Sequence, residues 1–305
     1  RFDDRSIATM KSHLGNLDDS LARGLIWASL WDSCRDGELS ASSYISIALN
    51  ALKSESDISI VAATLMQIDT ALFAYASDQN REVLRKQVAE AVENMLDAAK
   101  PGSDHQLQFA KSFANTAVTP EQFARIKSIL DGSVTGLVID AELRWSIFIS
   151  GVKRGIFGPA DIDRETELDK TAHGKQYGAM AHAAIPSAAA KSAAFNSVTV
   201  DDLSNTIHSY KCRGFNDPLH GEILTGFVDQ YFDVLLKVWE TKGFEIAETT
   251  ATLLFPSWVI SEETVKKAQN WLDVTGKDAS HALRRAVLEG RDAMTRALKA
   301  RTADN

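Results

Sequence analysis

At 305 residues the chain is long enough to bury a sizeable core, as one large domain or two ordinary ones, without covalent staples. Its net charge of −8, with both signs mixed along the sequence, argues against nucleic acid as a partner. Two cysteines, Cys34 and Cys212, exclude a disulfide framework; no run approaches the ~18 apolar residues of a membrane span and no signal-like segment opens the chain. Buried, reduced thiols in a cytoplasmic protein are the expectation. Six Pro and 17 Gly beside abundant Ala and Leu suit an all-helical protein.

The opening RFDDRSIATM carries no initiator Met and reads as a continuation, so residues 1–16 are expected to be a connector from an upstream domain. The stretch that follows, Leu17 to Leu39, is the most informative in the chain. Asp18 and Asp19 stand where a carboxylate accepts the free N–H groups of a helix's first turn. Trp27, Leu30, Trp31 and Cys34 then recur at i, i+3, i+4 and i+7 and share one face. Leu21, Leu25 and Ala28 widen that face, which predicts an inner helix packed on more than one side.

Ser40 is a candidate cap for a helix through Leu52, with Tyr44, Ile47, Ala48 and Ala51 inward. Ser54 to Asp57 breaks the pattern. Ile58 to Ala76 resumes it through Leu65, Ile68, Leu72 and Tyr75, and Asn80 to Ala99 continues with Val83, Leu84, Val88, Val92 and Leu96. Pro101-Gly102 ends that helix. Asp104 to Thr116 follows, and Thr119-Pro120-Glu121-Gln122 supplies a capping box with Pro at the first helical position. The strand-like SVTGLVID after Gly132 has no partner of similar character and reads as an extended loop.

Asp140 caps a helix over Ala141 to Gly155, and Gly158-Pro159 opens a short one through Leu168. Thr171 to Ala184 and Ser187 to Asn196 form an Ala-rich pair whose small residues permit close approach. Thr199 to Asp202 is read as the cap of a helix ending near Gly214, and Pro218 as the start of a long one through Trp239. Ala247 to Phe255, Glu262 to Leu272 and Ser280 to Lys299 finish the chain. About fourteen helices in hairpins, one hairpin every ~35–45 residues, predict an irregular α-solenoid of the HEAT or armadillo type. An irregular orthogonal bundle is the alternative.

Nothing in the sequence supplies a catalytic centre. H-E-x-x-H, G-x-S-x-G, a Walker loop and G-x-G-x-x-G are all absent, and two distant cysteines make no zinc knuckle. His173, His182, His208 and His220 are read as surface or structural. The acidic pairs Asp18/Asp19, Asp201/Asp202 and Glu262/Glu263 are read as compensating helix dipoles at helix starts. Two features have functional competitors. Arg284, Arg285, Arg291, Arg296, Lys299 and Arg301 flank the apolar face of the last helix, either as a solvated cap or as a dock for an acidic partner. Arg144, beside Trp145, either pairs with Glu142 or Asp140 or receives a peptide's terminal carboxylate.

DDSLARGLIWASLWDSCRDGEL resembles the opening of the C-terminal helical domain of the aminopeptidase N family, zinc-dependent gluzincins, particularly its actinobacterial members. The resemblance runs the length of the chain, through ELRWSIFISG, the acidic and Ala-rich IDRETELDKTAHGKQYGAMAHAAIPSAAAKSAAF, FVDQYFDVLLKVWE, LLFPSW and LRRAVLEGRDAMTRALKAR. It implies that 17–305 is a C-terminal α-solenoid domain of a longer enzyme that removes N-terminal amino acids from peptides. The zinc, the H-E-x-x-H and the G-x-M-E-N loop would then lie in absent N-terminal and catalytic domains, the partners of this one. The domain would cap and shape the peptide chamber, with no catalytic or metal residue of its own and Arg144 as the one peptide-contact candidate. A free-standing helical-repeat scaffold for protein partners is the rival, and an H-E-x-x-H in the reading frame upstream of Arg1 discriminates the two.

Overall fold

The computed structural model describes residues 2–305. Among the described residues every regular element is helical. In chain order they are α1 (Asp4–His13), α2 (Ser20–Arg35), α3 (Ala41–Ala51), α4 (Ile58–Thr70), α5 (Asp78–Ala98), α6 (Asp104–Thr116), α7 (Pro120–Leu130) and α8 (Ala141–Lys153). There follow α9 (Pro159–Leu168), α10 (Ala172–Ala184), α11 (Ala188–Val200), α12 (Asn205–Phe215), α13 (Gly221–Leu224), α14 (Val228–Thr241), α15 (Phe244–Leu253), α16 (Glu262–Asn270) and α17 (His281–Ala303). Single π-helical turns, Ala71–Tyr75 and Trp271–Thr275, extend α4 and α16.

The chain divides into two compact units, residues 1–147 with 296–305, and residues 148–295. In the first, α1, α3 and α5 lie side by side in one layer, and α2, α4 and α6 in the other. Polar punctuation fixes where these helices begin. Asp19 Oδ1 accepts from the N–H of Leu21 at 2.9 Å, and Ser40 Oγ accepts from Ser43 at 3.1 Å. Thr119 and Gln122 close the expected capping box, each side chain accepting from the other's backbone N–H. Between the layers Trp27 and Trp31 meet Tyr44 with ring centroids 6.3 and 5.5 Å away, and Trp31 reaches Tyr75 at 5.7 Å. Those contacts are the thick neighbour that two tryptophans one turn apart require.

In the second unit α10 packs on α9, α11 and α12, and α14 packs on α15 and α16. The α10–α12 pair is the closest because its facing residues are small. A Cβ on Gly214 would sit 2.1 Å from the Met180 carbonyl oxygen, so only glycine permits that approach. Around Phe195, Phe215, Phe227 and Tyr231 a buried aromatic core forms, with Phe215 and Phe227 edge-on at 5.2 Å.

Several expectations are corrected. The stretch expected as a connector is helical over Asp4–His13, and α1 packs on α3. On α2 the inward stripe is Arg23, Trp27, Leu30 and Cys34, whereas Leu21 and Leu25 are 70% and 65% exposed. Val83 likewise faces water. The long helix expected from Pro218 is broken into two 3-10 turns, the one-turn α13 and α14, with Gly221 and Gly226 in the broken stretch. Asp201 follows the end of α11 rather than starting a helix, and Ser204 caps α12. Ile58–Tyr75 is long and apolar enough to cross a membrane by length and composition alone. Here Val61, Leu65, Ile68 and Leu72 bury its inner side in the first unit.

Candidate functional site

A groove of about 790 Å³ opens in the first unit between the C-terminal end of α3, one side of α5 and the start of α6. Gln87, Glu90, Ala91, Asn94, Met95 and Ala98 recur at helical spacing, so three turns of α5 form one wall. Leu52, Met95 and Phe109 make an apolar floor, and Lys53, Lys100 and His105 stand at one end. Lys53 and Lys100 are exposed, each just past the end of its helix.

Beneath that end lies a buried ion pair. Arg23 and Glu55 are 5% and 6% exposed, and Arg23 Nη2 meets Glu55 Oε1 at 2.7 Å while Nε meets Oε2 at 2.9 Å. The guanidinium also donates to the carbonyls of Leu17 and Asp18. Burial alone would push the Glu55 carboxyl up. The Arg23 fork and the Asp57 N–H outweigh it and hold the group below its ordinary value. His105 Nε2 lies 2.9 Å from the Glu55 carbonyl, which orients the imidazole at the groove's edge. Ser103 is engaged as the cap of α6, accepting from the N–H of Gln106 at 3.2 Å. The groove thus joins an apolar floor to exposed cations at one end, with Glu90 exposed on its wall.

Arg144 does not line the groove. It is half-buried on α8, and Nη1 donates to the Leu130 carbonyl, the last of α7, at 3.3 Å. That is a favourable place for a cation, because helix C-termini carry unsatisfied carbonyls. The basic residues of α17 are distributed in the same way. Arg284 donates to the carbonyls of Leu272 and Gly276, both at 2.7 Å, and Arg301 to those of Ala74 and Phe73. Arg285 pairs with Glu289 on its own helix.

In the second unit Lys191 is fully buried, and its ammonium donates to the carbonyls of Ala183, Gly214 and Phe215 at 2.8–3.0 Å. It ties the ends of α10 and α12 together, although burial pushes it down to about 7. Lys153 and Asp217 form an ion pair at 2.7 Å nearby, and His220 Nε2 lies 2.9 Å from the Lys153 carbonyl. His208 sits against the Val198 carbonyl and the Thr250 hydroxyl, both at 3.1 Å, with Cys212 Sγ 3.9 Å away. Burial pushes both thiols, Cys34 and Cys212, up to about 12.

These residues do not fit zinc. His208 and Cys212 are one pair of donors, already committed to packing and hydrogen bonds. Among the described residues no three His, Cys, Asp or Glu side chains come together to hold a metal ion.

A family model described as "ERAP1-like C-terminal domain" matches residues 1–296. The chain belongs to that family. Aminopeptidase N of Streptomyces lividans is 39% identical over 307 residues, a match that takes in all of this chain and 36% of that protein. The chain therefore spans about a third of the length of its curated relative. For this ERAP1-like C-terminal domain, sequence reasoning anticipated the family and the helices. It missed the groove, Glu55 and the burial of Arg23. One signal was available for the last: Arg23 is four residues before Trp27, on the stripe that Leu30 and Cys34 continue, and a cation there demands a buried anion.

Proposed function

We propose that the chain is the helical wall of a longer zinc-dependent aminopeptidase, and that it shapes the chamber in which the peptide lies while performing no chemistry itself. The observation that carries this reading is the end-to-end likeness to Aminopeptidase N from Streptomyces over only 36% of that protein. The zinc, its ligands and the general base belong, on this reading, to the remaining part of the enzyme. The hairpins stack as an irregular α-solenoid, and the free, buried thiols suit a cytoplasmic location.

The groove along α5 is the best candidate for contact with the peptide. It runs beside three turns of α5, and Lys53 and Lys100 offer exposed cations for a carboxylate. Arg144 is the second candidate, less open and already donating to Leu130.

In the full-length enzyme, Lys53→Ala with Lys100→Ala is expected to lower kcat/KM for a ten-residue peptide roughly five-fold, the value of one or two exposed charge contacts. Turnover of an aminoacyl-anilide, too short to reach the groove, stays unchanged. An equal fall on both substrates, or on neither, contradicts this assignment.

A further inference from the structure

The side of α2 and α4 turned away from the core is bare and apolar. On α2, Leu21 and Leu25 are 70% and 65% exposed and Ala28 is exposed with them. On α4, Met66 is 67% exposed and Ala63 lies one turn before it. The two helices are neighbours in one layer, and a Cβ on Gly24 would touch Ile60 Cδ1 at 4.0 Å. Their outer faces therefore adjoin. Ser59, Ala63, Met66 and Thr70 share the outer side of α4 and include no charge. Ile58–Tyr75 has a mean hydropathy of 1.5, yet only 44% of it is buried.

A surface helix normally turns charged residues to water, and adjoining apolar faces left open mark interaction sites. We propose that the outer face of α2 and α4, centred on Leu21, Leu25 and Met66, is the seat of the remainder of the longer enzyme, which meets it with an apolar patch of its own edged by cations that face Asp18 and Asp19. This rests on the reading of the chain as part of a longer aminopeptidase. Two observations favour that occupant. The greater part of the Streptomyces relative lies outside the match, so a large partner surface is at hand. The charges at the head of the patch, Asp18 and Asp19, are acidic, and Asp32 at its foot faces Arg35 at 3.5 Å. A second copy packed with its helices parallel would bring Asp18 and Asp19 close to their own kind, one packed antiparallel would set them beside the other copy's Asp32, and an anionic bilayer would repel them.

Met66 reports on the face directly, since thioether oxidation follows exposure. Hydrogen peroxide oxidation of Met66 is followed by peptide mass spectrometry in the 305-residue chain and in the full-length enzyme, with buried Met294, outside the groove, as the internal control. The expected result is oxidation about ten-fold slower in the full-length enzyme, without peptide present. Equal rates overturn the proposal. So does protection that appears only on adding a peptide, which would make the face part of the substrate chamber. Protection of the 305-residue chain that grows with its own concentration assigns the face to a second copy, and protection by phosphatidylglycerol vesicles assigns it to a membrane; either overturns the proposal. Leu21→Glu with Leu25→Glu should leave the melting temperature of the 305-residue chain unchanged and speed proteolytic release of the helical part from the full-length enzyme. Peptide hydrolysis by the same full-length sample is scored separately. An active enzyme with unprotected Met66 sinks the docking face alone, whereas an inactive one sinks the enzyme reading.

Discussion

Glu55→Ala is expected to destabilise the first unit by about 3–5 kcal/mol, the range for removing one partner of a buried ion pair. The loss is large because Arg23 remains behind, 5% exposed, with its Nε left without an acceptor and Nη2 keeping only the Ser56 hydroxyl at 3.3 Å. Replacing both residues, Arg23→Met with Glu55→Met, should restore much of the loss, because no uncompensated charge is then left inside. Urea unfolding followed by tryptophan fluorescence reads both variants, since Trp27 and Trp31 lie on the same helix as Arg23. A loss below about 1 kcal/mol for Glu55→Ala would place the pair with ordinary surface bridges. The pH dependence has a definite sign. Glu55 is held below its ordinary value of 4.5 in the folded chain, so its contribution is fully present above that pH and is lost as pH falls through the folded value. Wild type should therefore lose stability below about pH 4.5 more steeply than the double Met variant.

Asp304→Ala is expected to cost about 3 kcal/mol, from two backbone hydrogen bonds to a charged acceptor that then go unmade. Asp304 is 4% exposed although it is the penultimate residue. Its Oδ1 accepts from the N–H of Ser42 at 2.7 Å and its Oδ2 from the N–H of Ser77 at 2.9 Å, the first turn of α3 and the cap of α5. Asn80 Nδ2 adds a hydrogen bond to the Asp304 carbonyl at 2.6 Å. One carboxylate thus serves two helix N-termini, where negative charge is favoured by both the free N–H groups and the dipoles. Arg301, one turn earlier, holds the carbonyls of Phe73 and Ala74. Thermal unfolding of the variant, and of a chain ending at residue 303, checks the claim. A change in either below about 1 kcal/mol would mean the tail merely rests on the surface.

Much of the helical pattern was legible because its determinants are local. Asp19, Ser40, Thr119 and Asp140 cap where they stand in sequence, and a 3.6-residue period places Tyr44, Leu65, Val88 and Val92 inside. The failures have a physical pattern too. Periodicity says which residues share a face and not how much of that face is covered, so it places Leu21 and Leu25 in a core that takes only the side of Arg23, Trp27, Leu30 and Cys34. Glu55 stands in a Ser-Glu-Ser-Asp break that reads as a polar loop, and its partner is 32 residues away. The groove is assembled from three helices that only tertiary packing brings together. Asp304 lies beyond the last periodic apolar residue, so no pattern marks it, yet it is a buried anchor. Function was legible only through the distributed likeness of the whole chain to one family, since no catalytic motif marks it.

The most direct test is to incubate the purified 305-residue chain with an aminoacyl-anilide, with and without added zinc, and to record the release of the aniline. The account predicts a rate equal to the blank in both cases. Turnover that survives repurification and is abolished by chelation would place a metal-dependent active site within these residues and contradict it.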